Sequence, residues 1–230
     1  MKTSPRLHRP EVGFIFDWDG VVVDSSAQHE ESWERLAAQE GLPLFEGHFK
    51  IGFGKRNQLI IPEILKWTRD AKEITRLGDQ KEVHYREIIR ETGIEPLPGV
   101  RAFLEMLVRE EIPYAVGSST PRENILAVMS GAGIEGFFDK IVAAGDVQKG
   151  KPDPEVFLKA AKLINMPPEH CVVFEDSISG VEAGLAGGMT VIGLTTTNSR
   201  EMMERSGASL VKESFEEMSL GEILEIVDRR

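Results

Sequence analysis

The chain has 230 residues, 41% of them hydrophobic, and a formal net charge of −11. This supports a substantial core in one or two domains, and it is too acidic for a nonspecific nucleic-acid binder, which neutralises phosphates with clustered Lys and Arg. One cysteine, Cys171, excludes an internal disulfide framework and fits a reducing compartment, with burial at the start of an apolar strand as its expected place.

No run approaches the ~18 apolar residues of a membrane span, and the polar start lacks the apolar core of a signal peptide. A cytoplasmic monomer with no membrane or nucleic-acid partner and a flexible tail over residues 1–10 is expected.

The first element is a strand, Phe14-Ile15-Phe16, which delivers Asp17 and Asp19 to the point where Gly20 ends it. Positions i and i+2 of a strand share a face, so both acids are expected on one side. Two carboxylates at about 4 Å repel by roughly 4 kcal/mol at an effective dielectric of ~20, so a cation or a shared proton is needed. In isolation, Asp-x-Asp-Gly is equally a turn with solvated acids; the residues downstream decide.

From Ala27 to Glu40 the pattern is an amphipathic helix with Trp33, Leu36 and Ala37 on one face. Gly47 to Asn57, rich in glycine and basic residues, reads as a loop. Leu59 to Trp67 is helical in pattern despite Pro62, and Ala71 to Glu91 reads as one or two charged helices around Gly78. Residues 27–93 are thus an all-helical insertion.

Pro96-Leu97-Pro98-Gly99 marks a boundary, after which helix and strand alternate. Helices are predicted from Val100 to Glu111, from Thr120-Pro121-Arg122-Glu123 (a capping-box pattern) to near Gly131, from Pro154 to Ile164 with Asp153 as cap, from Ile178 to Ala186, from Glu201 to Arg205 and from Leu220 to Val227. Strands are predicted at Pro113 to Gly117, Ile141 to Ala144, Cys171 to Phe174, Val191 to Leu194 and Leu210-Val211. The fold class is therefore α/β: a Rossmann-like parallel sheet core, residues 11–26 and 94–230, with an inserted helical cap domain.

Such a sheet gathers chemistry at the carboxyl ends of its strands. Here those ends carry Asp17 and Asp19, then Ser118, then the loop Lys149-Gly150-Lys151-Pro152, then Glu175-Asp176. Carboxylates, a hydroxyl and an ammonium suit phosphoryl transfer, in which a tetrahedral anion must be positioned and its charge neutralised. Magnesium takes oxygen ligands and keeps several waters, so two or three of these acids suffice to hold it, and a carboxylate nucleophile would split the transfer through an aspartyl-phosphate.

The segments FDWDGVVVDS, VGSST, GKPDPEVF and VVFEDSISGVEAG follow the order and spacing of the four motifs of the haloacid dehalogenase-like superfamily, which the chain resembles from about residue 11 to its end. The helical insertion resembles the small cap of the beta-phosphoglucomutase-like branch. The resemblance implies Asp17 as nucleophile and Asp19 as general acid and base. It implies magnesium held by Asp17, the main-chain carbonyl of Asp19 and Asp176, with Glu175 nearby through water, and phosphate gripped by Ser118, with Ser119 beside it, and Lys151. Lys149 is expected to be solvated. An aspartate at position 19 argues against carbon–halogen and phosphonate cleavage, whose enzymes lack this second acid.

By the same resemblance the cap chooses the substrate, with His29, Gly52, Lys55, Arg56 and Lys81 as candidate substrate-binding residues. Whether Lys55 or Arg56 supplies the basic group of the specificity loop is open, and His29 either helps move Asp19 into place or packs against Trp33. The favoured function is a magnesium-dependent phosphatase acting on a small phosphorylated metabolite such as a sugar phosphate. A sugar-phosphate mutase is the alternative. A non-catalytic phosphometabolite-binding module would be expected to have lost the nucleophile or a metal acid, and neither is lost.

Overall fold

The structure, a computed structural model, describes residues 12–52 and 55–229, so the expected tail over residues 1–10 lies outside it. Six strands form one parallel sheet: β1 (Gly13–Phe16), β2 (Tyr114–Gly117), β3 (Ile141–Val142), β4 (Cys171–Glu175), β5 (Thr190–Leu194) and β6 (Leu210–Lys212). Their order is β3-β2-β1-β4-β5-β6. The chain runs outward from β1 in one direction through β2 and β3, then crosses back to begin the other half at β4. The carboxyl ends of β1 and β4, paired through Phe16 and Phe174, are therefore the point where the winding reverses and a crevice opens.

Both sheet faces are buried, so the strands read as apolar runs. Phe14, Phe16 and Phe174 pack on one face with Phe103 and Phe215, the Phe16 and Phe174 rings having centroids 5.0 Å apart. Ile15, Val173 and Val191 meet Phe157 and Val181 on the other. The sheet is covered by α5 (Val100–Arg109), α6 (Arg122–Ala132), α7 (Glu155–Leu163), α8 (Ile178–Ala186), α9 (Arg200–Arg205) and α10 (Leu220–Asp228). Cys171 is fully buried, its Sγ 3.4 Å from the Pro167 carbonyl, and burial pushes its thiol up to about 12, which leaves it inert.

Between β1 and α5 the chain forms the cap: α1 (Ser26–Glu40), α2 (His48–Gly52), α3 (Asn57–Leu59), a wider helical turn over Ile60–Ile64, and α4 (Ala71–Thr92). It has its own small core, in which Trp33, Leu36, Ile60, Ile61, Leu65 and Leu77 pack together. The stretch expected as a loop, Gly47 to Asn57, instead carries the short helix α2. Gly52, its last residue, is buried with Ile60 in ordinary contact distance of where its Cβ would stand. The charged stretch around Gly78 is a single helix; the missing Cβ there admits Asn57, whose own Cβ would be 3.3 Å away. Among the described residues no helix is long and apolar enough to cross a membrane.

Candidate active site

Asp17 stands one residue past β1 and is tied to β4 by its N–H, which donates to the Phe174 carbonyl at 3.0 Å. Trp18 turns the other way and is buried against Phe138, so the strand alternation sends the two flanking aspartates out of that core. Glu175 ends β4, and Asp176 follows it. One oxygen from each of Asp17, Glu175 and Asp176 lies within 4.8 Å of the others, and all three side chains are buried.

Lys151, from the loop between β3 and α7, enters this cluster from the side. Its ammonium is 2.9 Å from Asp17 Oδ1 and donates to Glu175 Oε1 at 2.6 Å, and it lies 4.7 Å from the centre of the Phe157 ring. Burial works against its charge, but Asp17 and Glu175 more than offset that and hold its pKa above the ordinary lysine value. Burial raises the Asp17 carboxyl to about 7, with the Glu175 charge adding to the rise and Lys151 opposing it. Burial also holds Asp176 well above the ordinary carboxylate range, helped by Glu175 and Asp17. One lysine therefore does not neutralise three buried acids, and a further cation is what this site lacks electrostatically.

The donor set fits magnesium, being all oxygen, compact and open to two or three ligands. Glu175 is the least free of the three: Oε1 takes Lys151, and Oε2 accepts from the Asp176 and Ser177 N–H groups, both at 2.8 Å, and from Ser177 Oγ at 3.0 Å. A direct bond from Glu175 to a metal would disrupt these, whereas Asp17 and Asp176 carry lighter loads, the Lys151 ammonium on one and the Thr197 hydroxyl on the other. Asp176 is steadied by a loop that the sequence reading passed over: the Thr197 hydroxyl donates to its Oδ2 and Asn198 Nδ2 to its carbonyl at 2.8 Å. Thr196 Oγ1 donates at 2.5 Å to the carbonyl of Gly20.

The carboxylate of Asp19 is not part of the metal cluster. It accepts from the hydroxyls of Ser25 and Thr120, and His29 Nε2 lies 3.7 Å from its Oδ1. Burial opposes its charge, but His29, Ser25 and Thr120 together hold its pKa at about 2. Thr120 was expected to cap α6. The cap position is instead Pro121 with no side-chain bond, because the Thr120 hydroxyl is turned to Asp19. Ser25 likewise stands at the start of α1 without capping it. In α7 the cap position is Pro154 and not the expected Asp153, which stands one residue outside it with its Oδ1 accepting from the Glu155 N–H at 3.1 Å.

Ser118 is buried after β2, with its Oγ accepting from the Thr120 N–H at 3.2 Å, and Ser119 beside it is half-buried. Lys149 is exposed, 3.5 Å from Asp153 Oδ2.

The cap residues divide. Lys81 was expected to face the cleft, yet it is only 3% exposed. Its ammonium is 2.6 Å from His29 Nδ1 and 3.3 Å from Glu82 Oε1, above the rings of Trp33 and Tyr85. His29 stacks on Tyr85 at 4.1 Å between ring centres rather than on Trp33. Lys55 turns back to donate to the Ile51 carbonyl at 2.7 Å. Arg56 reaches the core: a Cβ on Gly150 would fall 2.5 Å from its Nη2, so the guanidinium rests on the main chain next to Lys151. Phe53 and Gly54, in the middle of that loop, lie outside the described residues.

A parallel sheet with its acids, hydroxyl and lysine at the winding reversal, under an inserted helical cap, defines a class of enzymes. The model of the haloacid dehalogenase-like hydrolase family matches residues 12–188, and the chain belongs to that family. It is 34% identical over 206 residues to the phosphorylated carbohydrates phosphatase of Thermotoga maritima, covering 86% of this chain and 93% of that one. It is 32% identical over 240 residues to the chloroplastic 5-amino-6-(5-phospho-D-ribitylamino)uracil phosphatase of Arabidopsis thaliana, covering 98% of this chain but spanning 63% of the plant protein. The crystal structure of beta-phosphoglucomutase from Clostridium difficile matches with a TM-score of 0.80 at 28% identity, covering 94% of this chain and 97% of that one.

Proposed function

We propose that the protein is a magnesium-dependent phosphatase that hydrolyses a small phosphorylated metabolite, a sugar phosphate above all, through an aspartyl-phosphate on Asp17. The observation that carries this reading is the position of Asp17, buried at the end of β1 with Lys151 at 2.9 Å and Asp176 and Glu175 beside it. The relatives named for phosphatase action on phosphorylated carbohydrates and on a phosphoribityl compound support it.

In this reading the Asp17 carboxylate attacks phosphorus while Ser118 and Lys151 hold the non-bridging oxygens. Magnesium, held by Asp17, Asp176 and the main-chain carbonyl of Asp19 with Glu175 behind, would supply the charge that keeps Asp17 ionised and offsets that of the phosphoryl oxygens. Asp19 protonates the departing oxygen of the substrate, then takes a proton from the water that attacks the aspartyl-phosphate. With a pKa near 2 where it now stands, Asp19 must exchange its contacts with Ser25, Thr120 and His29 for the substrate oxygen before it can serve as an acid. His29 and Lys81 act on Asp19 from behind, and Arg56 is the cap group placed to meet the far part of the substrate. The residues 27–93 form the cap unit and 11–26 with 94–230 the catalytic unit.

The mutase alternative keeps the same core and differs in excluding water and returning the phosphoryl group to another hydroxyl. The similarity in shape to a beta-phosphoglucomutase and the His29–Lys81 pair behind Asp19 favour it. The net charge of −11 and the lone buried Cys171 are consistent with a cytoplasmic monomer whose partner is the metabolite alone. Incubation with magnesium and a panel of sugar phosphates, followed by phosphorus NMR, tests the proposal. Release of inorganic phosphate supports the phosphatase, and conversion of beta-glucose 1-phosphate to glucose 6-phosphate without release replaces it with the mutase.

A further inference from the structure

Buried and half-buried polar side chains join the cap to the core by a route that bypasses Lys151 and the Asp17, Glu175 and Asp176 cluster and ends on Asp19. Asn124, on the first turn of α6, is completely buried, and its amide is used at both ends. Nδ2 donates to Glu82 Oε2 at 2.6 Å, and Oδ1 accepts from Arg86 Nη1 at 2.8 Å. Both partners are on cap helix α4, so the orientation of the amide is set by having a carboxylate on one side and a guanidinium on the other. Glu82 Oε1 accepts from Asn57 at 2.7 Å and lies 3.3 Å from Lys81 Nζ. Lys81 then meets His29 Nδ1 at 2.6 Å, and His29 faces Asp19.

The route closes on itself. Thr120, four residues before Asn124, donates to the other oxygen of Asp19. Asp19, Thr120 and Asn124 belong to the core; His29, Lys81 and Glu82 belong to the cap. Separating cap from core breaks this ring at His29–Asp19 and at Glu82–Asn124. A largely enclosed carboxylate such as Glu82 loses stability with each donor taken away, so the Asn124 contact weighs on where the ring settles.

We propose that Asn124 is a positioning residue, the core half of a clasp that seats Glu82, and through it Lys81 and His29, behind Asp19 when the cap rests on the core. This rests on the reading of Asp19 as the acid and base. Asn124→Asp keeps the side chain's volume but sets an oxygen against the Glu82 carboxylate. Glu82→Gln removes that carboxylate. Combining the two exchanges donor and acceptor and restores the parent's total charge.

Each single substitution should lower kcat/KM by about 10- to 100-fold, the range of a hydrogen bond to a charged group, with the far-ultraviolet spectrum unchanged. The double variant should return to within about threefold of the parent, because the two sites form one coupled pair. Amide hydrogen exchange over residues 82–86 and 120–125 should speed up in each single variant and return to the parent's rate in the double. That readout needs no substrate, so it decides the clasp even where the phosphatase reading fails. A double variant as impaired as the product of the singles, or an Asn124→Asp protein with the parent's kcat/KM and exchange, overturns the proposal. If Asn124→Asp does not fold, Arg86→Gln, which takes away the other hydrogen bond of the same amide, is read by the same two measurements.

Discussion

Gly20 and Asp176 approach so closely that a Cβ on Gly20 would lie 1.9 Å from Asp176 Oδ2. The glycine also has φ +77°, a conformation that costs an L side chain roughly 1–2 kcal/mol. The turn after β1 thus leaves room for a carboxylate that arrives from the end of the neighbouring strand β4. Gly20→Ala should push Asp176 out of the cluster. The expected result is at least a 100-fold loss of turnover, about the cost of a misplaced catalytic group, with a raised magnesium requirement measured by titrating the metal at fixed substrate.

Lys151 is the charge that makes two buried carboxylates tolerable. Lys151→Met would leave Asp17 and Glu175 without their shared ammonium, and breaking such a buried pair costs about 3–5 kcal/mol. Urea unfolding should show a loss of that size in the metal-free protein, alongside loss of turnover.

The raised pKa of Asp17 makes stability depend on pH in a definite direction. Its value in the fold, about 7, stands above its ordinary value of 3.8, so the folded chain holds this proton more tightly than the unfolded one. The stability this supplies is complete below the ordinary value and is lost as pH rises through 7. Metal-free protein should therefore lose part of its thermal stability between pH 4 and pH 7. Magnesium competes with the proton, so its stabilising effect should be larger at pH 8 than at pH 5, as melting curves at the two pH values would show.

In the proposed mechanism Asp19 acts on the leaving oxygen, and the cost of removing it then depends on the substrate. Asp19→Asn should slow hydrolysis of a sugar phosphate by about 10²- to 10⁴-fold, the usual range for a general acid. With p-nitrophenyl phosphate, whose leaving group needs no proton, the loss should be much smaller. Equal losses on both substrates would remove Asp19 from the acid role.

The sheet and its site were legible in the sequence because each strand announces itself as an apolar run that ends in a chemistry-bearing residue: Phe16 before Asp17, Gly117 before Ser118, Phe174 before Glu175. Thr120 was read as a helix cap because Thr-x-x-Glu before a helix is the pattern of one; nothing local reveals that its hydroxyl is turned instead to a carboxylate 101 positions earlier. The loop Thr196 to Asn198, which steadies Gly20 and Asp176, was invisible for the same reason, its partners being far away in sequence. Lys81 is a candidate for the cleft only through the resemblance of the cap to that of the sugar-phosphate mutases, and the bland alternative for a lone lysine is a solvated charge. Its burial depends on Glu82 and His29 converging from two helices, and no spacing within one helix encodes that.

The most direct test of the account is to quench the working enzyme with acid after rapid mixing with magnesium and its best phosphorylated substrate, then map the bound phosphoryl group by mass spectrometry. The account predicts a phosphoryl adduct on the peptide carrying Asp17, formed as fast as turnover and absent from Asp17→Asn. Turnover with no adduct, an adduct on Ser118, or phosphate release undiminished in Asp17→Asn would contradict it.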